Sequence, residues 1–132
     1  MLMVDSEGTP LAVDIISANH AEVKLIEPLI EKRILPQKPK RLMYDLAADS
    51  GPLRDRLKLQ KIELICHHRK NRKQPARQDG RAARRLRRRY RVERTISWLF
   101  NKRRLVVRYE HYPELYLGFL QLACVLTIIQ WF

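Results

Sequence analysis

The stretch from Arg84 to Arg108, RRLRRRYRVERTISWLFNKRRLVVR, constrains the fold most, because so many arginines cannot be buried without partners. It contains neither Pro nor Gly, and its apolar residues recur at the spacing of an α-helix. One row holds Leu86, Tyr90, Ser97 and Phe100, and a neighbouring stripe holds Val92, Ile96 and Leu99. The pattern predicts a surface helix that turns one apolar stripe toward a core.

Positive charge is concentrated around this stretch. Residues 69–108 hold 17 of the 27 Lys and Arg residues and only two acids, Asp79 and Glu93. The rest of the chain holds 10 basic and 12 acidic residues, so a near-neutral body carries a strongly cationic segment. That distribution indicates a protein that binds a phosphate backbone. The alternatives are a solvated charged helix and a segment attracted to anionic lipid.

Strand and helix signals alternate along the chain, which predicts one α/β domain with helices packed on a mixed sheet. A β-hairpin is expected over residues 2–16, with Gly8 at its tip. Asn19 is expected to cap the next helix. Its predicted inward residues are Val23, Ile26, Leu29, Ile30 and Ile34. A buried strand at 42–44 then ends at Asp45.

The second half of the chain continues the alternation. Ser50 or Asp49 is expected to cap a helix, and a strand is expected at 62–66. A basic loop follows over 67–78, and Asp79 is expected to cap the long arginine-rich helix. The last predicted helix covers 113–131. Its predicted inward residues are Leu115, Phe119, Leu122, Leu126 and Ile129.

The C-terminal run LYLGFLQLACVLTIIQWF has about the length needed to span a bilayer. Gln121, Thr127 and Gln130 interrupt it, so we prefer a packed core helix and expect no stable membrane association. Cys66 and Cys124 lie in apolar contexts without paired spacing, which predicts core thiols of a reducing compartment.

Two acids are candidates for chemistry. Asp45 ends a predicted strand, and strand ends are where open α/β sheets place ligands. Glu93 lies one helical turn from Arg89, so it either pairs with Arg89 or Arg94, or serves as a ligand. Carboxylate oxygens suit hard cations such as Mg²⁺, which act in phosphoryl displacement. A turn acid is the alternative for Asp45.

Several strings in this chain resemble bacterial insertion-sequence transposases of the DDE type. DSEGTPLA at 5–12 resembles the VDxxGxPLA hairpin of that family, and HRKNR at 68–72 resembles its basic loop. RYRVERT at 89–95, WL at 98–99, RRL at 103–105 and VRYE at 107–110 resemble its longest signature. YLGFLQLACVL at 116–126 is similar to the helix that follows it.

The resemblance implies a ribonuclease H-like fold and metal-dependent cleavage and transfer of DNA strands. Glu93 would be the last metal-binding acid, Arg89 its neighbouring signature arginine, and Asp45 the second acid, with Mg²⁺ or Mn²⁺ as cofactor. The phosphate-binding residues expected from the basic segment are Lys70, Arg72, Lys73, Arg87, Arg88, Arg91, Arg94, Lys102, Arg103 and Arg104.

Two departures from the family pattern bear on activity. YDLAADS at 44–50 lacks the Gly and Tyr of the ADKGYDS segment, and Ala47 takes positive φ less freely than Gly. The first acid of the family lies upstream of the hairpin with which this chain begins. We therefore expect a partial catalytic domain over 1–132, encoded by the second of two frames or by a decayed remnant.

The expected function is DNA transposition by a fragment that is inactive without an upstream transposase half. Its expected partners are transposon-end DNA, that upstream half and a possible homodimer, in the cytoplasm at the nucleoid. The rival interpretation is a non-catalytic basic protein that holds nucleic acid through phosphates.

Overall fold

A computed structural model describes residues 1–17, 19–71, 75, 78 and 80–130. Over this part of the chain, short strands and helices form a mixed α/β structure. The elements are β1 (Leu2–Val4), β2 (Pro10–Val13), α1 (Glu22–Glu31), β3 (Arg41–Met43), α2 (Gly51–Leu59), β4 (Glu63–Ile65), α3 (Gly80–Arg85), α4 (Tyr90–Phe100), α5 (Arg103–Val106) and α6 (Pro113–Ile129). Two 3₁₀ turns, Leu46–Ala48 and Leu86–Arg89, follow β3 and α3.

The hairpin predicted at the N-terminus is confirmed. Strands β1 and β2 pair antiparallel, and Gly8 at the tip has φ +98°. One carboxylate oxygen of Asp5, Oδ1, accepts hydrogen bonds from the backbone N–H groups of Glu7, Gly8 and Thr9 at 2.7, 2.9 and 2.9 Å. The Asp5 side chain therefore organises the turn, as Asp does in tight turns generally.

Strands β3 and β4 form a parallel pair, with α2 as the crossover between them. Ser50 caps α2, because its Oγ accepts from the N–H of Leu53 at 3.4 Å. Leu42 is opposite Leu64, and Met43 is opposite Ile65. Successive side chains on a strand point to opposite faces, so each pair contributes to a different layer of the molecule.

Each of the two small sheets contributes side chains to both apolar layers of the molecule. On one face, Met3 and Ala12 of the hairpin join Leu42 and Leu64 of the parallel pair in a single core beneath α1 and α2. The helix residues of that core are Ile26, Leu29, Ile30, Leu53 and Leu57. On the other face, Leu2 and Val13 pack with α4, α5 and α6, while Met43 and Ile65 pack with α3 and the following 3₁₀ turn.

The arginine-rich segment is not the single long helix that we predicted. It divides into α3, the 3₁₀ turn Leu86–Arg89, α4 and α5. Leu86 and Thr95 are both buried, yet nine residues of α-helix would turn them about 180° apart. The tighter 3₁₀ turn changes the helical phase, which lets both residues face inward. The predicted cap at Asp79 lies outside the described residues.

The predicted inward face of α6 is wrong. Leu115, Phe119, Leu122, Leu126 and Ile129 are all exposed, whereas Ala123, Cys124 and Thr127 are buried. Small side chains allow the helix to approach α4 and β2 closely, and the Tyr116 hydroxyl donates to the carbonyl oxygen of Leu105 at 2.8 Å. No helix within the described ranges is both long and apolar enough to cross a membrane.

Smaller corrections concern α1. The helix begins at Glu22 after Ala21, so Asn19 is not its cap, and the side chain of Ala21 can offer no capping hydrogen bond. Ile34, predicted to face inward, is 67% exposed because it lies beyond the end of the helix.

The two cysteines, Cys66 and Cys124, are buried, as predicted.

Candidate functional site

Asp45 lies two residues after the end of β3, at the carboxyl end of the parallel pair. It is half-buried, and its Oδ1 accepts from the N–H of Ala47 at 2.8 Å, so it caps the 3₁₀ turn Leu46–Ala48. Among the described non-glycine residues only Lys61 has positive φ, so Ala47 fits this turn without backbone strain. The absence of Gly from the segment is therefore compatible with a strand that ends at an ordered acid.

Tyr44 gives Asp45 a polar and partly buried neighbour that we did not predict. The Tyr44 hydroxyl donates to Oε2 of Glu22 at 3.3 Å. Burial raises the pKa of this hydroxyl, and the nearby carboxylates of Glu22 and Asp45 raise the pKa further, while the Arg89 guanidinium lowers it. The Tyr44 hydroxyl is therefore bonded to Glu22, and its pKa depends on the charges of Asp45 and Arg89.

Arg89, in the 3₁₀ turn before α4, forms an ion pair with a residue of that helix. Its Nη2 lies 3.8 Å from Oε1 of Glu93, one helical turn away. The Glu93 side chain is 66% exposed, so this ion pair is a surface pair that contributes at most about 1 kcal/mol to stability. Arg89 therefore has one ion-pair partner on α4, and its charge also lowers the pKa of the Tyr44 hydroxyl.

A second acid of the same segment, Asp49, has a buried side chain with several polar partners. Its side chain is 2% exposed, and Oδ1 lies 3.0 Å from Nδ1 of His68 and 3.5 Å from Nη2 of Arg54. Oδ2 accepts from the N–H of Arg69 at 2.9 Å. Arg54 also donates to Sγ of Cys66 at 2.8 Å. Asp49 therefore anchors the start of the basic loop to α2.

The sequence indicates Asp49 only as a possible helix cap. Its spacing from Asp45 places it one turn beyond the strand end, but nothing local identifies His68 and Arg69, which lie about 20 residues later. The sequence predicts only a weak metal site in the Cys66-His67-His68 run, on the expectation that its residues alternate along a strand. In the structure the run follows the end of β4. The structure uses Cys66 and His68 in this polar cluster instead.

The donor set for a metal ion is incomplete. Within residues 1–17, 19–71, 75, 78 and 80–130, no group of three His, Cys, Asp or Glu side chains could hold one. Asp45 and Glu93 have suitable oxygens, but Asp45 caps a turn and Glu93 pairs with Arg89. The described residues therefore do not fit a complete metal centre by themselves.

Cationic side chains line a groove near the carboxyl end of β4. An open groove of about 390 Å³ lies beside the carboxyl end of β4, lined by His67, Gly80, Ala83, Arg84, Leu86, Arg87 and Arg89. Of the predicted phosphate-binding residues, Lys70, Arg87, Arg88, Arg103 and Arg104 are exposed, and Lys102 is half-buried. Arg104 also pairs with Glu110 at 3.1 Å. Arg72 and Lys73 lie outside the described residues.

Two further predicted residues, Arg91 and Arg94, are engaged with the hairpin. Arg91 Nη1 donates to Oε1 of Glu7 at 2.8 Å, and Arg94 Nη2 donates to the carbonyl oxygen of Glu7 at 2.9 Å. The Arg94 guanidinium also lies over the Trp98 ring, 4.7 Å from its centroid. These contacts give both arginines a role in joining α4 to the hairpin tip.

Comparison with known proteins gives a consistent result. The family described as "Transposase DDE domain" matches residues 1–128. The chain is also 31% identical over 134 residues to a putative transposase for insertion sequence element IS402 from Burkholderia cepacia. That match covers 95% of this chain but only 59% of the relative, and no solved structure matches. Within the signature, Thr95 of α4 bonds to Gly8 at the hairpin tip, and the chain belongs to the transposase DDE domain family.

Proposed function

We propose that this chain is part of a DDE transposase catalytic domain with a ribonuclease H-like fold, and that it takes part in DNA transposition. The observation that carries the proposal is the match of the transposase DDE domain family to residues 1–128, which include Asp45, Arg89 and Glu93. In the proposed site, Asp45 and Glu93 supply carboxylates and Arg89 supplies positive charge. The reaction class is metal-dependent cleavage and transfer of DNA strands.

The proposed DNA surface runs along the 3₁₀ turn and the groove beside it. Arg87 and Arg88 are exposed there, and Arg84 and Arg89 line the same groove as Arg87. Clustered guanidinium groups bind phosphate oxygens strongly, often through two parallel hydrogen bonds. Lys70 and Arg103 extend the exposed charge on either side in sequence.

The salt dependence of DNA binding tests this surface. Replacing Arg87 and Arg88 together by Ala should reduce the slope of log K against log[salt] by about 0.9 for each phosphate that is no longer neutralised. The matched control is the Lys24→Ala, Lys58→Ala double variant, which removes the same charge from exposed positions on α1 and α2. Equal slopes for the two double variants would contradict the proposed surface.

We infer that catalysis requires ligands beyond the residues that the structure describes. Family members generally use a divalent metal ion, and Asp45 and Glu93 would offer Mg²⁺ or Mn²⁺ two carboxylates from the described residues. We propose that an upstream transposase half supplies what is missing. The 132-residue chain alone should then bind DNA without nicking it in either metal.

Fusion to the remainder of the Burkholderia cepacia relative provides the test. The fusion should nick transposon-end DNA, and Asp45→Asn or Glu93→Gln should abolish nicking while leaving DNA binding intact. Metal-dependent cleavage by the isolated chain would contradict the half-site proposal. Full activity of the Glu93→Gln fusion would contradict the residue assignment.

A second candidate is a basic nucleic-acid-binding protein without catalysis. The pairing of Glu93 with Arg89 favours it, because an acid held by an arginine on an exposed helix has a structural role already. Under this alternative the fusion binds DNA with the same salt dependence and never cleaves it.

A further inference from the structure

Helix α6 has one side that packs and one side that is apolar and exposed. Ala123, Cys124 and Thr127 are buried on the packed side. The large apolar residues of the other side, each between 36% and 63% exposed, are Leu115, Phe119, Leu122, Val125, Leu126 and Ile129. We call this set, together with the exposed Gly118, the α6 face. An apolar face of this extent usually marks an interaction surface.

The α6 face is symmetric about Leu122. On a helix surface the neighbours of a residue lie three and four positions away, and they form the ridges that pack between helices. For Leu122 those neighbours are Gly118, Phe119, Val125 and Leu126, all of them exposed. Seven positions away, Leu115 and Ile129 continue the face in both directions. In the part of the chain that the structure describes, a complete helix-packing surface therefore faces solvent.

We propose that the α6 face binds the α6 face of a second copy of this chain. The two helices are antiparallel, and a two-fold axis passes between the two Leu122 side chains. A two-fold interface brings the same surface of both subunits together, so the surface must be complementary to itself. Reversal of the helix exchanges positions across Leu122, which puts Leu115 of one copy level with Ile129 of the other.

Side-chain volumes favour the antiparallel direction. In this direction Gly118 of one copy is level with Leu126 of the other, and Phe119 is level with Val125. A Cβ at Gly118 would meet nothing within 4 Å, so there is room for the leucine. In a parallel pair each residue would meet itself, so that two glycines would leave a gap and two phenylalanines would compete for one space. Dense packing of large against small residues requires the antiparallel pair.

The pairing buries no charge. Residues 115–130 contain no Asp, Glu, Lys or Arg. Glu114 at the start of the helix is level with Gln130 of the other copy, whose amide can donate to the carboxylate. The Arg104 guanidinium lies over the Phe119 ring, 5.4 Å from its centroid, and is already paired with Glu110. The desolvation cost of the interface is therefore small.

The size of the α6 face suits a weak but specific dimer. The helix has 17 residues, so it is about 25 Å long. Two such faces would bury on the order of 1,000 Å² in total, near the lower limit for a specific interface. We expect a dissociation constant in the micromolar range.

A different partner is a poorer occupant. This chain spans 59% of its Burkholderia cepacia relative, so the remainder of that protein is the other source of a covering segment. Such a segment has its own sequence and does not require a face that is symmetric about one residue. Self-association does require it.

Cysteine crosslinking tests both the contact and its direction. Leu122→Cys should form a disulfide-linked dimer in oxidised glutathione, because the two thiols meet at the axis. Leu115→Cys and Ile129→Cys should not link to themselves, but the two variants should link to each other when mixed. Leu59→Cys, at an 86% exposed position on α2, is the matched control and should not link. The two native cysteines are buried, and peptide mass mapping identifies the linked residues.

Light scattering across a dilution series measures the dimer without a crosslink. Leu122→Glu places two carboxylates at the axis, so it should raise the Kd of the dimer by about tenfold or more. Leu59→Glu adds the same charge elsewhere and should leave the Kd unchanged. Circular dichroism shows whether each variant folds, and the crosslinking result decides if Leu122→Glu does not.

Four outcomes would overturn the proposal. They are a wild-type chain that stays monomeric at several hundred micromolar, an equal Kd for wild type and Leu122→Glu, and self-linking of Leu115→Cys, which indicates a parallel pair. The fourth uses the chain co-expressed with the remainder of the Burkholderia cepacia relative. A disulfide from Leu122→Cys to cysteines of that remainder, in place of the linked dimer, would assign the α6 face to it.

Discussion

The hydroxyl of Thr95 donates a 2.6 Å hydrogen bond to the carbonyl oxygen of Gly8, 87 residues earlier in the chain. Thr95 is fully buried, and Arg91 and Arg94 bind Glu7 beside it. The hairpin tip and α4 are therefore joined by one buried contact and two exposed ones. This joint holds the helix that carries Glu93 against the sheet layer.

Gly8→Ala should weaken this joint. The residue has φ +98°, and a Cβ would lie 3.0 Å from Oγ1 of Thr95 and 3.5 Å from the carbonyl oxygen of Arg91. We expect a loss of about 1–3 kcal/mol in the free energy of unfolding, measured by urea denaturation. Gly118→Ala is the control, because its Cβ would meet nothing within 4 Å and Ala favours a helix. Equal stability of the two variants would contradict the strain at Gly8.

The orientation of α6 gives a second prediction. Leu99→Ala should destabilise the chain by about 2–5 kcal/mol, because Leu99 is 3% exposed in the core beneath α6. Leu122→Ala should change stability by only about 0.5 kcal/mol, because Leu122 is 53% exposed. Urea denaturation at low protein concentration measures both. A large loss of stability for Leu122→Ala would contradict this orientation of α6 and support the inward face that the sequence pattern predicted.

Features with a local cause were predictable from the sequence. Gly8 and Asp5 define the hairpin tip, and Asp45 ends a strand whose apolar residues are contiguous. The helical spacing of Glu93 and Arg89 predicted an ion pair as one of two alternatives, and Arg89 does pair with Glu93. None of these required knowledge of distant residues.

Features set by packing between distant segments were not predictable. Leu86 packs with Ile65, and Thr95 bonds to Gly8. Because one continuous α-helix could not make both contacts, the arginine-rich segment divides into shorter helices. The buried face of α6 could not be predicted from its sequence because the helix is apolar nearly all round. Small residues, which permit close approach, determined its buried side.

The raised pKa of Tyr44 predicts a loss of stability at high pH. Its hydroxyl pKa is raised in the folded chain by burial and by Glu22 and Asp45, so folding favours the neutral phenol. As pH rises above about 10, tyrosine in the unfolded chain loses its proton first, and the free energy of unfolding should fall. Tyr44→Phe should reduce this fall, whereas Tyr109→Phe, at a 72% exposed position, should not. Thermal midpoints across the alkaline range measure the difference, and identical profiles for wild type and Tyr44→Phe would contradict it.

Asp49→Asn should be the most damaging conservative change near the site. The carboxylate is 2% exposed and faces Arg54, whose side chain is 9% exposed, so the substitution leaves a buried guanidinium without its anion. Removing one partner of a buried pair costs about 3–5 kcal/mol.

The exposed pair Arg41–Glu63 supplies the matched control, with side chains 56% and 49% exposed at 3.0 Å. Glu63→Gln should cost about 0–1 kcal/mol. Asp49→Asn should also speed tryptic cleavage after Arg69 and Lys70, because the Arg69 N–H loses a charged acceptor. Equal stability losses for the two variants, or unchanged cleavage in Asp49→Asn, would show that Asp49 does not anchor the basic loop.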